Sequence, residues 1–207
     1  MKLYSVDNAY INFLRNVDKQ VLSNEDDDYS HTRKYLWIEL NLNNNKYYIP
    51  FSGPKDTDYN SDGSVRKSNI TIKRLLNKDG VLKGRLRINN MIPVPDEALI
   101  EYKVSNELDL KYKALVEDEL DIIKNRLNEI NRDAKYVYLT KCKNEHKYNW
   151  ENACCDFKLL EQKCLEYQNI VKSKPIDLLN KIKKSNSNTE YNQKNFNVKN
   201  NNNENER

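Results

Sequence analysis

Residues 47–55 read YYIPFSGPK, an apolar strand that stops on a hydroxyl, a glycine, a proline and a lysine. Glycine and proline suffice for a tight turn, because one permits unusual φ and the other fixes its own. Ser52 and Lys55 are not needed for that. A small hydroxyl donor and a mobile cation suit a phosphate, one by hydrogen bond and the other by charge. The plainer alternative is a hairpin turn carrying a solvated lysine. A second set of chemical groups precedes the partner strand, in YSHTRKYLWIEL from residue 29, which holds Tyr29, His31, Arg33 and Lys34. Arg33 offers a two-point grip on phosphate, and His31 has the reference pKa nearest neutrality for moving protons. A single loop histidine is also simply a loop histidine. Pairing the two strands as a hairpin brings both sets to one rim.

Basic residues are unevenly placed. The net charge is +4, yet residues 66–87 carry eight Lys or Arg against a single acid, Asp79. Such a ribbon, with Lys67 and Arg74 in it, is a footprint of a nucleic-acid surface or the solvated face of a hairpin. Phosphate-cradling glycine loops, paired-histidine metal motifs and nucleophile elbows do not occur in the sequence. Cys142, Cys154, Cys155 and Cys164 lack C-x₂-C spacing, and His146 is the only histidine near them, so zinc is not expected. They read as small apolar residues on helices in a reducing compartment. No cofactor is expected. The chain has no run of about eighteen apolar residues to span a membrane. Its start has no secretion signal's apolar core and cleavage site. The expectation is a cytoplasmic protein with no membrane partner.

The elements that must position these groups fall into two regions. Residues 36–42 alternate Leu36, Ile38, Leu40 and Leu42 on one face, the NNN run turns, and KYYIPF returns. NITIKRLL and VLKGRLRI flank NKDG, whose Asp-Gly pair predicts a hairpin. KLYSV adds a strand, and residues 8–16 a short helix with Tyr10, Phe13 and Leu14. Short strands joined by tight turns predict an α+β fold whose first 95 residues form a small SH3-like β-barrel, ended by Pro93 and Pro95. Asp96 then caps a short helical segment. Tyr112, Leu115, Val116, Ile123, Leu127, Ile130, Ala134 and Val137 predict one helix from about 109 to 142. Trp150, Cys154, Phe157, Leu160, Cys164, Tyr167 and Val171 predict a second, packed antiparallel as a helical hairpin. Residues 1–172 make one domain, with its helical part from 96. Residues 173–207 are a disordered tail, with ten Asn among the 23 residues from Ser185.

Taken in order, KLYSVDNAYINFLR, YSHTRKYLWIEL, YYIPFSGPK, RKSNITIKRLLN, INNMIPVPDEAL and LDLKYKALVEDELDIIKN resemble the ToxN/AbiQ endoribonuclease toxins of type III toxin–antitoxin systems. The resemblance covers residues 1 to about 140, and MIPVP and the hydroxyl-x-Pro-Lys turn are its most specific parts. It implies a barrel like that of the Kid and MazF toxins with added helices. It also implies metal-independent RNA cleavage, processing of and inhibition by a repeated small RNA in a closed toxin–RNA complex, and a part in phage abortive infection. Tyr29, Arg33, Ser52 and Lys55 stand at the family's site positions, with His31 beside them. Tyr10, Lys34, Gly53, Lys67, Ser68, Asn69, Arg74, Lys111, Tyr112 and Lys113 are the candidate RNA contacts. Gly53 stands where members often carry a second hydroxyl.

RNA brings its own nucleophile, the 2′-hydroxyl. An enzyme need only orient it, remove its proton, stabilise the added negative charge and protonate the 5′-oxygen. Lys55 and Arg33 suit the charge, Ser52 and the Gly53 amide a non-bridging oxygen, and Tyr29 or His31 the protons. No base partner in triad order makes Ser52 a covalent nucleophile. The departure at Gly53 keeps open a non-catalytic RNA-binding module built on the same ribbon and aromatics. A third reading is a helical interaction protein in which the β region only anchors the helices.

Overall fold

The computed structural model describes residues 2–24, 32–42, 45–143 and 147–173, with backbone alone for 39–42. Tyr29, His31, the acidic run from Glu25 to Asp28 and the Asn-rich segment from Ser185 lie outside the described residues. The chain divides into compact units Met1–Leu165 and Glu166–Arg207. Of the second, residues 166–173 are described, as the end of the last helix.

Seven strands form one sheet: β1 (Leu3–Val6), β2 (Tyr35–Leu42), β3 (Asn45–Ser52), β4 (Ile72–Leu76), β5 (Leu82–Arg87), β6 (Ile92–Pro93) and β7 (Leu99–Tyr102). Helix α1 (Asn8–Arg15) follows β1, α2 (Leu110–Lys143) follows β7, and α3 covers 157–173. The strand order is β4-β5-β3-β2-β1-β7, with β6 on β3. This ladder corrects the expected barrel, because among the described residues β4 and β7 are two unpaired edges rather than neighbours. Part of the reason is local. Only Phe51 and Ser52 at the end of β3 pair with β5, while Tyr47 and Tyr48 pair with β6. The other part is β7, which sequence reasoning missed beyond Pro95 and which pairs with β1 along its whole length.

Both expected hairpins form. Leu36 lies opposite Ile49 across β2 and β3, and Gly80, at φ 76°, takes the left-handed turn position between β4 and β5. Leu36, Ile38, Tyr47, Ile49, Leu75, Leu86 and Ile88 are buried together with Val116, Ile123, Ile130 and Val137 of α2, so the long helix contributes one wall of the core. The second helix begins only at 157. Trp150 lies in a 3₁₀ turn, Asn149–Ala153, and Cys154 follows it, so these two do not extend the helical stripe as expected. Asp96 begins a 3₁₀ turn whose preceding residue is Pro95, and it makes no side-chain cap. No helix among the described residues is long and apolar enough to cross a membrane.

The turn after β3 is held from below by Asp58, a carboxylate 1% exposed. Its Oδ1 accepts Arg74 Nε at 3.0 Å, and its Oδ2 accepts the Lys55 backbone N–H at 2.9 Å and lies 3.1 Å from Arg85 Nη1. Arg85 Nε donates to the Gly53 carbonyl at 3.0 Å. Two strands and both ends of the Gly53–Lys55 turn thus meet at one buried anion. Asp58→Ala leaves two buried guanidinium groups without their counter-ion and is expected to lower unfolding free energy by about 3–5 kcal/mol. Removing the exposed Lys46–Asp96 pair by Asp96→Ala is expected to change it by less than about 1 kcal/mol. Urea unfolding of both variants checks the contrast, and equal effects would remove Asp58 from this role.

Candidate functional site

The end of β3, the approach to β2 and the first turns of α2 enclose a cleft of about 140 Å³. Arg33, Lys34, Ser52, Gly53 and Tyr112, all expected from sequence, line it together. Lys83, Leu115, Glu119, Asn24 and Thr32 line it as well and were not foreseen. On α2 the wall is made by Tyr112, Leu115 and Glu119, a spacing of three and then four residues that places them on one face. The helix starts where Asp109 Oδ1 accepts the backbone N–H groups of Lys111 and Tyr112, at 2.9 and 3.1 Å.

Each cation in the cleft is oriented by a specific partner. Arg33 donates from Nε to the Ser23 carbonyl at 2.7 Å and from Nη1 to the Phe51 carbonyl at 2.5 Å, which joins the approach to β2 to the end of β3. The Lys34 ammonium lies 4.2 Å from the Tyr102 ring centroid and 5.9 Å from that of Tyr112, and donates to the Thr32 carbonyl at 2.9 Å. Burial pulls its pKa below the ordinary lysine value. Lys83 Nζ pairs with Asp118 at 2.9 Å. Ser52 Oγ is buried and has no hydrogen-bond partner among the described residues. A buried hydroxyl normally finds one, which sets Ser52 apart from the other polar groups of the cleft.

The acid–base groups of the cleft are strongly perturbed. Burial, then the nearby Glu119 charge, pushes the Tyr112 phenol up to about 12. The Glu119 carboxyl is 7% exposed, and burial, followed by the charge of Asp118, pushes it up to about 8. Sequence reasoning passed over Glu119 because it sits in the charged run VEDELD, which reads as a solvated face. The signal available was its position four residues beyond Leu115 on the face that carries Tyr112.

Other expected contacts are placed elsewhere. Lys55 is exposed and follows Pro54, at the cleft's edge. Lys111 is exposed and Lys113 half-buried on either side of Tyr112, and Lys67 is exposed. Ser68 accepts the Arg74 N–H at 2.8 Å, and Asn69 Oδ1 accepts the N–H groups of Thr71 and Ile72 at 3.0 and 2.7 Å, so both side chains shape the loop before β4. Two of the expected contacts lie in the interior. Tyr10 is fully buried on the inner face of α1 with Ile11 and Leu14, and its hydroxyl donates to the Pro93 carbonyl at 2.7 Å. Arg74 is 6% exposed and is spent on Asp58 and on the Lys67 carbonyl. The basic ribbon is correspondingly not one surface. Lys73, Arg74 and Arg85 point inward to carboxylates, Lys73 to Glu129 at 3.0 Å and to Asp133.

Among the described residues the cleft thus gathers cations, the Ser52 hydroxyl, a tyrosine and one carboxyl whose burial favours its neutral form, which is a set suited to a phosphodiester. Residues 2–165 match the family of the toxin ToxN of type III toxin–antitoxin systems. The chain is 28% identical to the endoribonuclease ToxN of Bacillus thuringiensis subsp. kurstaki over 191 residues, covering 87% of this chain and 91% of that protein. It is 29% identical to the endoribonuclease AbiQ of Lactococcus lactis, covering 81% and 89%. Among solved structures, it resembles a type III toxin selectively inhibited by a non-coding RNA pseudoknot, with a TM-score of 0.69, 26% identity and coverage of 81% of this chain and 97% of that one. A structure of AbiQ, a lactococcal anti-phage endoribonuclease, gives 0.66, 27%, 81% and 98%. The fold, the cleft and the match across nearly all of the first compact unit agree: this chain belongs to the ToxN family of type III toxin–antitoxin toxins.

Proposed function

We propose that the protein is an endoribonuclease toxin that cleaves RNA by attack of its own 2′-hydroxyl, without a metal, and leaves 2′,3′-cyclic phosphate and 5′-hydroxyl ends. The observation that carries this reading is the Ser52 hydroxyl, buried without a partner among the described residues in a cleft that Arg33, Lys34 and Lys83 also line. In this reading Ser52 Oγ donates to a non-bridging phosphate oxygen and the cations offset the charge that grows on it. Lys55, exposed at the edge, adds a further charge, while Tyr112 and Leu115 give the nucleoside a wall. Proton transfer at the 2′-hydroxyl falls to solvent or to Tyr29 and His31. The related toxins' names and the inhibited structure support inhibition by a non-coding RNA and a role against phage. In this reading that RNA is a repeat antitoxin that the protein processes and that holds it in a closed complex, and the role is in abortive infection. Short tandem repeats in the DNA just upstream are the expected source of that RNA.

Ser52→Ala and Lys55→Ala are expected to relieve growth arrest while leaving the protein folded, with cleavage slowed about a hundredfold or more. Both variants remaining as toxic as the parent would move the site elsewhere. Retained RNA binding without any cleavage by the parent would favour the non-catalytic module.

The nucleophile is tested separately. Cleavage is expected to continue in excess EDTA, because the cleft supplies its positive charge from side chains. A single 2′-deoxy nucleotide on the 5′ side of the cut should stop the reaction yet leave binding nearly intact, since phosphate contacts dominate affinity. End-group analysis of the products should find the cyclic phosphate. Efficient cutting of the deoxy substrate would instead require a water nucleophile.

A further inference from the structure

Among the described residues Glu119 is the one carboxyl lining the cleft, and its setting differs from that of the described acids near it. Asp118, its neighbour in sequence, is half-exposed and paired with Lys83, whereas no hydrogen bond or ion pair reaches Glu119 from the described residues. The backbone has been left open for it. At Gly84 of β5 an added Cβ would stand 1.9 Å from Glu119 Oε1 and 3.5 Å from the Ser52 carbonyl oxygen. The carboxyl therefore lies directly over a glycine, beside the residue whose hydroxyl has no partner. Any side chain at 84 would have to displace it. Among the described residues, the titratable and charged groups around it are Tyr112 and Asp118 on its own helix, and Lys83 of β5, Arg33 and Lys34 in the cleft lining.

From this geometry we propose that Glu119, in its neutral form, is the general acid of the reaction and delivers its proton to the departing 5′-oxygen. The assignment rests on the reading of the protein as an RNA-cleaving enzyme. In the step, the 2′-oxygen bonds to phosphorus and the bond from phosphorus to the 5′-oxygen breaks. That oxygen takes the carboxyl proton and becomes a hydroxyl. The 2′-hydroxyl's own proton passes to solvent water, and the Glu119 carboxylate is then reprotonated from solvent. Burial keeps the carboxyl neutral at pH 7, and an anionic phosphodiester in the same cleft raises its proton affinity further. A carboxyl held this way has the driving force suited to an acid working near neutral pH.

The test first maps the cut made by the parent protein in a long RNA, then compares an ordinary substrate with one carrying sulfur in place of the 5′-bridging oxygen. A thiol ionises near about pH 8.5 and so leaves without being protonated. For the parent, kcat/KM on the oxygen substrate is expected to fall as pH rises through about 8, with no such limb on the sulfur substrate. Glu119→Gln is expected to slow the oxygen substrate by about 10²–10⁴-fold and the sulfur substrate hardly at all. Folding gives an independent readout. The neutral carboxyl's contribution to stability is fully present below the ordinary glutamate range and is lost as pH rises through about 8. Thermal melts should therefore find Glu119→Gln gaining on the parent between pH 5 and pH 9. Equal losses on both substrates, a limb shared by both, or a melting difference that does not change with pH would each overturn the assignment. A parent that cuts no RNA at any pH would remove the enzymatic reading itself, and this role with it.

Discussion

Much of the structure depends on a single buried anion. Asp58 draws Arg74 from β4 and Arg85 from β5 to one carboxylate, and uses its remaining acceptor site on the Lys55 backbone. Buried charge is tolerable only when its partners are close and the remaining lone pairs are filled. Here that requirement fixes the geometry of the Gly53–Lys55 turn, since Arg85 reaches on to the Gly53 carbonyl. Asp58 also accepts the Arg66 N–H on its own carbonyl at 2.8 Å, so the loop leading to β4 is tied to the same point. The candidate catalytic turn is thereby carried by the sheet rather than by its own sequence, as precise placement of a phosphate donor demands.

The long helix is attached by the same kind of chemistry, displaced by one strand face. Lys73 from β4 inserts between Glu129 and Asp133, and Arg126 caps the arrangement by donating to Glu129 and to the Arg74 carbonyl. The hydrogen bonds from Arg126 and Lys73 hold the Glu129 carboxyl down at about 2, well below the ordinary range. Alternating Lys73 and Arg74 thus face opposite partners, one toward α2 and the other toward Asp58, as the two-residue period of a strand requires. With α2 anchored near its middle, its first turns bring Tyr112, Leu115 and Glu119 to the cleft.

Local pairing was legible in the sequence, and so was the meeting of Arg33, Lys34, Ser52 and Gly53, because a hairpin leaves its two free ends side by side. Charge was harder to read. Eight basic residues in 66–87 resemble a solvated ribbon as long as their acids are unknown, and the acids lie at Asp58, Glu129 and Asp133, before and far beyond it. Tyr10 stood among the candidate RNA contacts for a similar reason: its acceptor, the Pro93 carbonyl, is 83 residues away. The strand β7 was hidden by Pro93 and Pro95 and by its four-residue length, with Ile100 and Glu101 exposed as suits an edge. Closure of the sheet into a barrel is a property of pairing between its ends, and no local pattern encodes it.

The cleft contains an apparent contradiction, three cations lining the same space as a carboxyl that stays neutral. It is resolved by where the cations are spent. Arg33 is turned toward the Ser23 and Phe51 carbonyls, Lys34 toward Thr32 and the Tyr102 ring, and Lys83 toward Asp118. None of them is hydrogen-bonded to Glu119, so desolvation outweighs attraction and the proton is retained. An isolated ion pair at that position would have ionised the carboxyl and removed its proton from use. With the cations committed to these partners and a neutral acid over Gly84, the Ser52 hydroxyl is left without a partner among the described residues. In the proposed reaction a phosphodiester needs charge, a hydroxyl donor and a proton source, and the commitments of their neighbours keep the cations and the acid from neutralising each other.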